Sequence, residues 1–128
     1  MTTTGSSPDP KPRAIYSAQT IRWPYLDEEK SAEQLAELTD WVWWLTWRFN
    51  LDHRTVPDCW NQHGAVIEEL SALYTAWQTA YAQTADGDSP LAWMNQFTNA
   101  RHRLNDCVAR AGCRAGEHRP VKSRVPKR

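Results

Sequence analysis

Along most of this chain apolar residues return every three or four positions, the spacing that lays a continuous stripe on one side of an α-helix. The first stripe, Leu35, Leu38, Val42, Leu45 and Phe49, predicts a helix over residues 31–50, with Ser31 and Gln34 in the form of a capping box at its start. His63, Val66, Ile67, Leu70, Leu73, Tyr74, Trp77 and Tyr81 make a second stripe. With Pro57 suited to a first turn, they predict a helix over 57–83 despite Gly64. After the Asp86-Gly87-Asp88 turn, Ser89 as cap and Pro90 in the first turn open a third helix. Its stripe is Leu91, Met94, Phe97, Leu104, Cys107 and Val108, and Gly112 is a natural stop. No segment alternates with the period of a strand, and no repeat is visible. The expected fold is all-α, a small three-helix bundle whose helices are antiparallel because their connections are short.

The flanks read differently. Residues 1–22 are rich in Ser, Thr and Pro without an apolar face, which predicts a disordered arm, and residues 21–26, with Trp23 before Pro24, predict an extended strap. The helical domain is expected over 23–118, followed by a basic disordered tail over 119–128. Within 128 residues, 41% of them hydrophobic, there is room for one core. The longest apolar cluster, residues 41–47, is interrupted by Thr46 and falls far short of the roughly 20 residues of a membrane span. No secretory pattern opens the sequence, so the expected compartment is the cytoplasm, where three cysteines are thiols or metal ligands rather than disulfides.

The net charge of zero conceals an asymmetry. Residues 27–88 hold twelve acids against three bases, while residues 101–128 hold nine bases against two acids. Arg101, Arg103 and Arg110 on the third helix, with Arg119, Lys122, Arg124, Lys127 and Arg128 in the tail, form a candidate nucleic-acid-binding set, because such runs bind phosphate backbones without reading sequence. The alternatives are a solvated tail, or arginines that fold back on the acidic face of Glu33, Glu37, Glu68 and Glu69.

Two cysteine/histidine pairs carry the sharpest chemistry. Cys59 with His63, and Cys113 with His118, offer two thiolates and two imidazoles, a complete tetrahedral set for structural Zn2+. Cys59 and His63 stand one helical turn apart if the second helix begins at Pro57, and antiparallel packing brings that turn beside the end of the third helix. The competing reading is a buried cysteine with capping or surface histidines. Such a closed site would hold a fold together and would not react with a substrate.

Four tryptophans crowd the first helix. Trp41 and Trp44 flank its core stripe, whereas Trp43 and Trp47 are i, i+4 neighbours on the far side, and a helix apolar all round must be covered all round. Either the 21–26 strap covers Trp43 and Trp47, or they form a surface for a protein partner or for self-association. Enzymatic signatures are absent: no phosphate-binding glycine loop, no Gly-x-Ser-x-Gly elbow, no His-Glu-x-x-His zinc helix. The chain is expected not to be an enzyme.

The stretches Val56-Pro57-Asp58-Cys59-Trp60, His63-Gly64-Ala65, Glu68-Glu69-Leu70, Ala76-Trp77, Asp86-Gly87, Pro90-Leu91-Ala92-Trp93 and Gly112-Cys113-Arg114-Ala115-Gly116-Glu117-His118 resemble those of a family of small actinobacterial proteins of unknown function. Its members are carried on plasmids, prophages and integrative or conjugative elements. The likeness covers residues 35–119. It implies an accessory role on a mobile element, with a protein partner, and brings no catalytic residue with it. The alternative is a small DNA-binding or regulatory protein that uses the basic C-terminal region.

Overall fold

The computed structural model describes residues 19–113, and within them three helices form the architecture: α1 (Glu28–Phe49), α2 (Gly64–Ala80) and α3 (Ser89–Ala111). No strand occurs among the described residues. Most of the expected arm, His118 and the basic tail (Arg119, Lys122, Arg124, Lys127 and Arg128) lie outside them.

Helix α1 starts earlier than its stripe suggested. The side chain of Asp27 accepts a hydrogen bond from the Lys30 amide at 2.7 Å, so Asp27 is the cap and Ser31 lies inside the helix. Three acids at the N-terminus, Asp27, Glu28 and Glu29, complement the helix dipole there. The helix ends at Asn50, whose left-handed φ of 54° lets its amide and that of Leu51 both bond the Thr46 carbonyl.

The second helix departs most from expectation, beginning at Gly64 rather than Pro57. Residues 57–63 are wound instead by i→i+3 bonds: Trp60 to the Pro57 carbonyl, Gln62 to Cys59, His63 to Trp60. The reason is burial. Pro57 and Cys59 would point about 200° apart on a continuous α-helix at about 100° per residue, yet both are buried here with Trp60 and His63. A short 3-10 turn, Trp60–Gln62, brings them all inside. The helix also stops at Ala80, which leaves Tyr81 half exposed.

Helix α3 ends as expected at Gly112, whose φ of 77° closes it, but Ser89 is its first helical residue and not its cap: Asp88 holds the cap position, without a side-chain capping bond. Its buried face is rotated from the expected one: Trp93, Phe97, Ala100, Leu104 and Val108 face inward, and Leu91 and Met94 are 67% and 42% exposed. Leu91 and Trp93 stand about 200° apart, so only one can enter the core. Trp93 wins because it stacks on Phe97 at 5.1 Å and its indole N–H donates to the Leu73 carbonyl at 3.1 Å.

Helices α2 and α3 are antiparallel: Glu69 meets Arg103, the Leu73 carbonyl meets Trp93, and His63 meets Cys113. Helix α1 packs on the end of this pair formed by late α2 and early α3. There Trp41 lies within 5.0–6.5 Å of the rings of Trp44, Tyr74, Trp77 and Trp93, and Phe49 is 4.8 Å from Phe97. The connector over 50–63 then follows α3 in the same direction, with Phe49 at Phe97, the Thr55 hydroxyl donating to the Asn105 side chain at 2.7 Å, and Cys59 at Cys113. Aromatic rings therefore fill one end of the bundle and the cysteines close the other.

Two buried indoles differ in one respect. Trp93 donates its N–H, whereas the Trp41 indole nitrogen is buried without a hydrogen-bond partner. Trp93→Phe should therefore destabilise the fold by about 1–3 kcal/mol more than Trp41→Phe, which removes an orphaned donor. Urea denaturation of the two variants measures the difference.

Candidate metal centre

His63 sits at the seam between the 3-10 turn and α2, in an extended conformation whose carbonyl accepts the amides of Val66 and Ile67 and so caps the helix. Its ring turns inward toward Cys59, one residue before the 3-10 turn. Cys113 follows the left-handed Gly112 directly, and the reversal there returns the chain toward α2. All three side chains are buried.

Their ligand atoms form a near-equilateral triangle. Cys59 Sγ lies 3.4 Å from Cys113 Sγ and 3.5 Å from His63 Nε2, and Cys113 Sγ lies 3.3 Å from that same nitrogen. A disulfide would bring the sulfurs to about 2.05 Å, so this pair is not bonded. Tetrahedral Zn2+, with bonds of about 2.3 Å to sulfur and about 2.0 Å to nitrogen, places such ligands roughly 3.5–3.8 Å apart. The triangle thus matches one face of a coordination tetrahedron, slightly contracted. The group could hold a metal ion through two sulfurs and one imidazole. His118, the fourth ligand expected from the sequence, lies outside the described residues.

Burial pushes the Cys59 thiol above its ordinary value near 9.0, and the adjoining Cys113 sulfur raises it further, by hydrogen bonding and by charge. Two thiolates so close in a poorly solvated pocket repel each other, and a divalent cation between them removes that repulsion. Metal binding here must therefore release thiol protons.

The expectation that Cys59 and His63 project from one α-helical turn is corrected, since the 3-10 turn presents them. Sequence reasoning also missed Thr55 and Asn105, whose hydrogen bond ties the connector to α3 near this site. They are fifty residues apart, and neither stands in a local motif that would link them.

The other candidates lie elsewhere. Trp43 and Trp47 are 59% and 54% exposed on the outer face of α1. The segment expected to cover them does not: Trp23–Tyr25 is a 3-10 turn whose Trp23 indole donates to Ser71 of α2 at 3.1 Å, and Tyr25 faces outward. On α3, Arg101, Arg103 and Arg110 are exposed, but they are not equivalent. The Arg103 guanidinium reaches back to Glu69 at 2.8 Å, and that of Arg101 lies over the Phe97 ring at 5.5 Å. Of the acids on the opposing face, Glu37 accepts from the Tyr74 hydroxyl at 2.6 Å. No helix among the described residues is long and apolar enough to cross a membrane.

No protein-family model, curated protein or solved structure matches this chain.

Proposed function

We propose that this chain is a non-enzymatic adaptor: a helical bundle stapled by zinc that acts by presenting α1 to a protein partner. The observation that carries the reading is the pair of exposed tryptophans at Trp43 and Trp47, on a helix whose opposite face already completes the core. Isolated exposed apolar residues are ordinary, but two indoles one turn apart make the kind of aromatic anchor that dominates protein interfaces. Zinc supplies rigidity in this reading, because two thiolates and an imidazole make a structural donor set. The resemblance of residues 35–119 to proteins of plasmids, prophages and conjugative elements supports an accessory role on a mobile element.

The competing reading is nucleic-acid binding through Arg101, Arg103, Arg110 and the tail. Arg103 counts against it, since its guanidinium is engaged by Glu69. Site-specific photo-crosslinking in the native host tests the adaptor reading. A crosslinker at position 43 or 47 should give a discrete protein adduct that the same group at exposed Leu91 does not. In parallel, labelled non-specific duplex at low salt should show no binding; salt-sensitive binding lost on removing residues 119–128 would favour the nucleic-acid reading instead.

A further inference from the structure

The outer face of α1 carries more than two tryptophans. Ala32, Ala36, Thr39, Asp40, Trp43 and Trp47 are all exposed, and at about 100° per residue they fall in one band opposite the buried Leu38, Trp41 and Leu45. Small residues occupy the first half of the band and indoles the second. We propose that this face is a self-recognition surface on which two copies of the chain pair through antiparallel α1 helices. The proposal rests on the adaptor reading of Trp43 and Trp47 and names their partner as a second copy.

The register follows from the spacing. A two-fold axis passing between Thr39 and Asp40 sets Trp43 of each copy against Ala36 of the other, and Trp47 against Ala32. Each indole then meets a methyl group that leaves it room, and both copies make the same contact, as an isologous interface requires. A parallel pair would set tryptophan against tryptophan and alanine against alanine, leaving a clash at one end and a gap at the other. The net charge of the helix ends agrees with the antiparallel choice. Residues 27–33 hold four acids against Lys30, whereas the last turn holds Arg48 and no acid, so pairing brings ends of unlike charge together; Arg48 itself lies on the flank of α1, about 130° from the centre of the band, and acts at long range only. One feature opposes it: the two Asp40 carboxylates approach each other near the axis.

The contact runs along about 23 Å of helix and buries on the order of 1,000 Å² in total, the lower bound for specific association. Pairing should therefore be reversible, with Kd in the range of about 1–100 µM.

Sedimentation equilibrium of the zinc-loaded full chain, from about 1 to about 500 µM, tests this across that range. A monomer–dimer equilibrium is expected. Trp43→Ala should weaken it at least about tenfold, as loss of an interface anchor does. Ala36→Trp alone should also weaken it, because an indole then meets an indole. Combining Ala36→Trp with Trp43→Ala restores one large and one small partner at each contact and should return Kd to within about threefold of the parent. Asp40→Asn should tighten pairing about threefold by removing like charge at the axis. All three positions are exposed, so unchanged far-ultraviolet circular dichroism confirms that folding is intact. A chain monomeric throughout, pairing unaffected by Trp43→Ala, or a double variant no better than either single one overturns the proposal. A monomeric result leaves the adaptor reading to the crosslinking experiment, which reports adducts of any protein.

Discussion

Purified protein should carry one equivalent of zinc, and removing it with a chelator, or replacing Cys113 by Ser, should lower stability by about 4 kcal/mol. The estimate treats the metal as a cross-link between residues 59–63 and 113, closing a loop of some fifty residues; chain entropy alone assigns about that much to such a closure. Unlike a zinc finger, the bundle has a hydrophobic core that continues from Trp60, Val66 and Val108 to the aromatic rings at its far end, so the stripped chain should loosen at the cysteine end first and stay partly folded. Inductively coupled plasma mass spectrometry gives the stoichiometry, and urea denaturation with and without chelator gives the loss. The pH response separates the two forms. In the metal-loaded protein, protons compete with zinc for thiolate and imidazole, so stability should fall as pH drops from about 7 toward 5. In the stripped protein the sign reverses. The Cys59 thiol is raised on folding, so it contributes no pH dependence well below 9.0 and costs stability once the pH climbs past that value, where the unfolded thiol ionises and the folded one does not. A metal-free preparation with the stability of the loaded one would reduce the triangle to packing.

Trp41→Ala should be the most damaging single substitution outside the cysteine site, at about 3–5 kcal/mol, while Trp43→Ala and Trp47→Ala should each stay within about 0.5 kcal/mol. The three residues are of one type on one helix, separated by at most six positions, yet their surroundings are opposite. Trp41 is 2% exposed and its ring contacts α2 through Tyr74 and Trp77 and α3 through Trp93, so truncation opens a cavity where all three helices meet. Trp43 and Trp47 face away from that junction. Against a total stability of about 5–15 kcal/mol, the loss at Trp41 leaves little margin. If Trp41→Ala does not express, Trp41→Leu gives the same ordering with a smaller cavity. Chemical denaturation at protein concentrations of about 0.05 µM, well below the lowest Kd expected for pairing through α1, measures the folding term alone.

The three helices were legible because each keeps a 3.6-residue stripe for at least four turns, and the stop at Gly112 because glycine takes a left-handed turn without strain. The first turn of α1 was misplaced by a rule of equal local merit, since Asp27 and Ser31 are both competent caps. Asp27 adds its charge to an acidic first turn. On α3, periodicity alone could not choose between Leu91 and Trp93. That choice fell to partners on α2, the Leu73 carbonyl above all, which are remote in sequence.

By itself the sequence determined the all-helical class and the three-helix order, and it offered Cys59, His63 and Cys113 as residues that could hold a metal ion, because those depend on periodicity and on side-chain chemistry. Tertiary structure decided that Cys59 and His63 rise from a 3-10 turn, that Cys113 joins them in a triangle of 3.3–3.5 Å, and that Trp43 and Trp47 stay uncovered. Each of these outcomes depends on which segments lie side by side. Residues 59 and 113 meet because the connector runs alongside α3, and the indoles stay exposed because the Trp23 turn docks on Ser71 of α2 instead of across α1. Local pattern limits what a segment can be, and packing between distant segments selects among what remains.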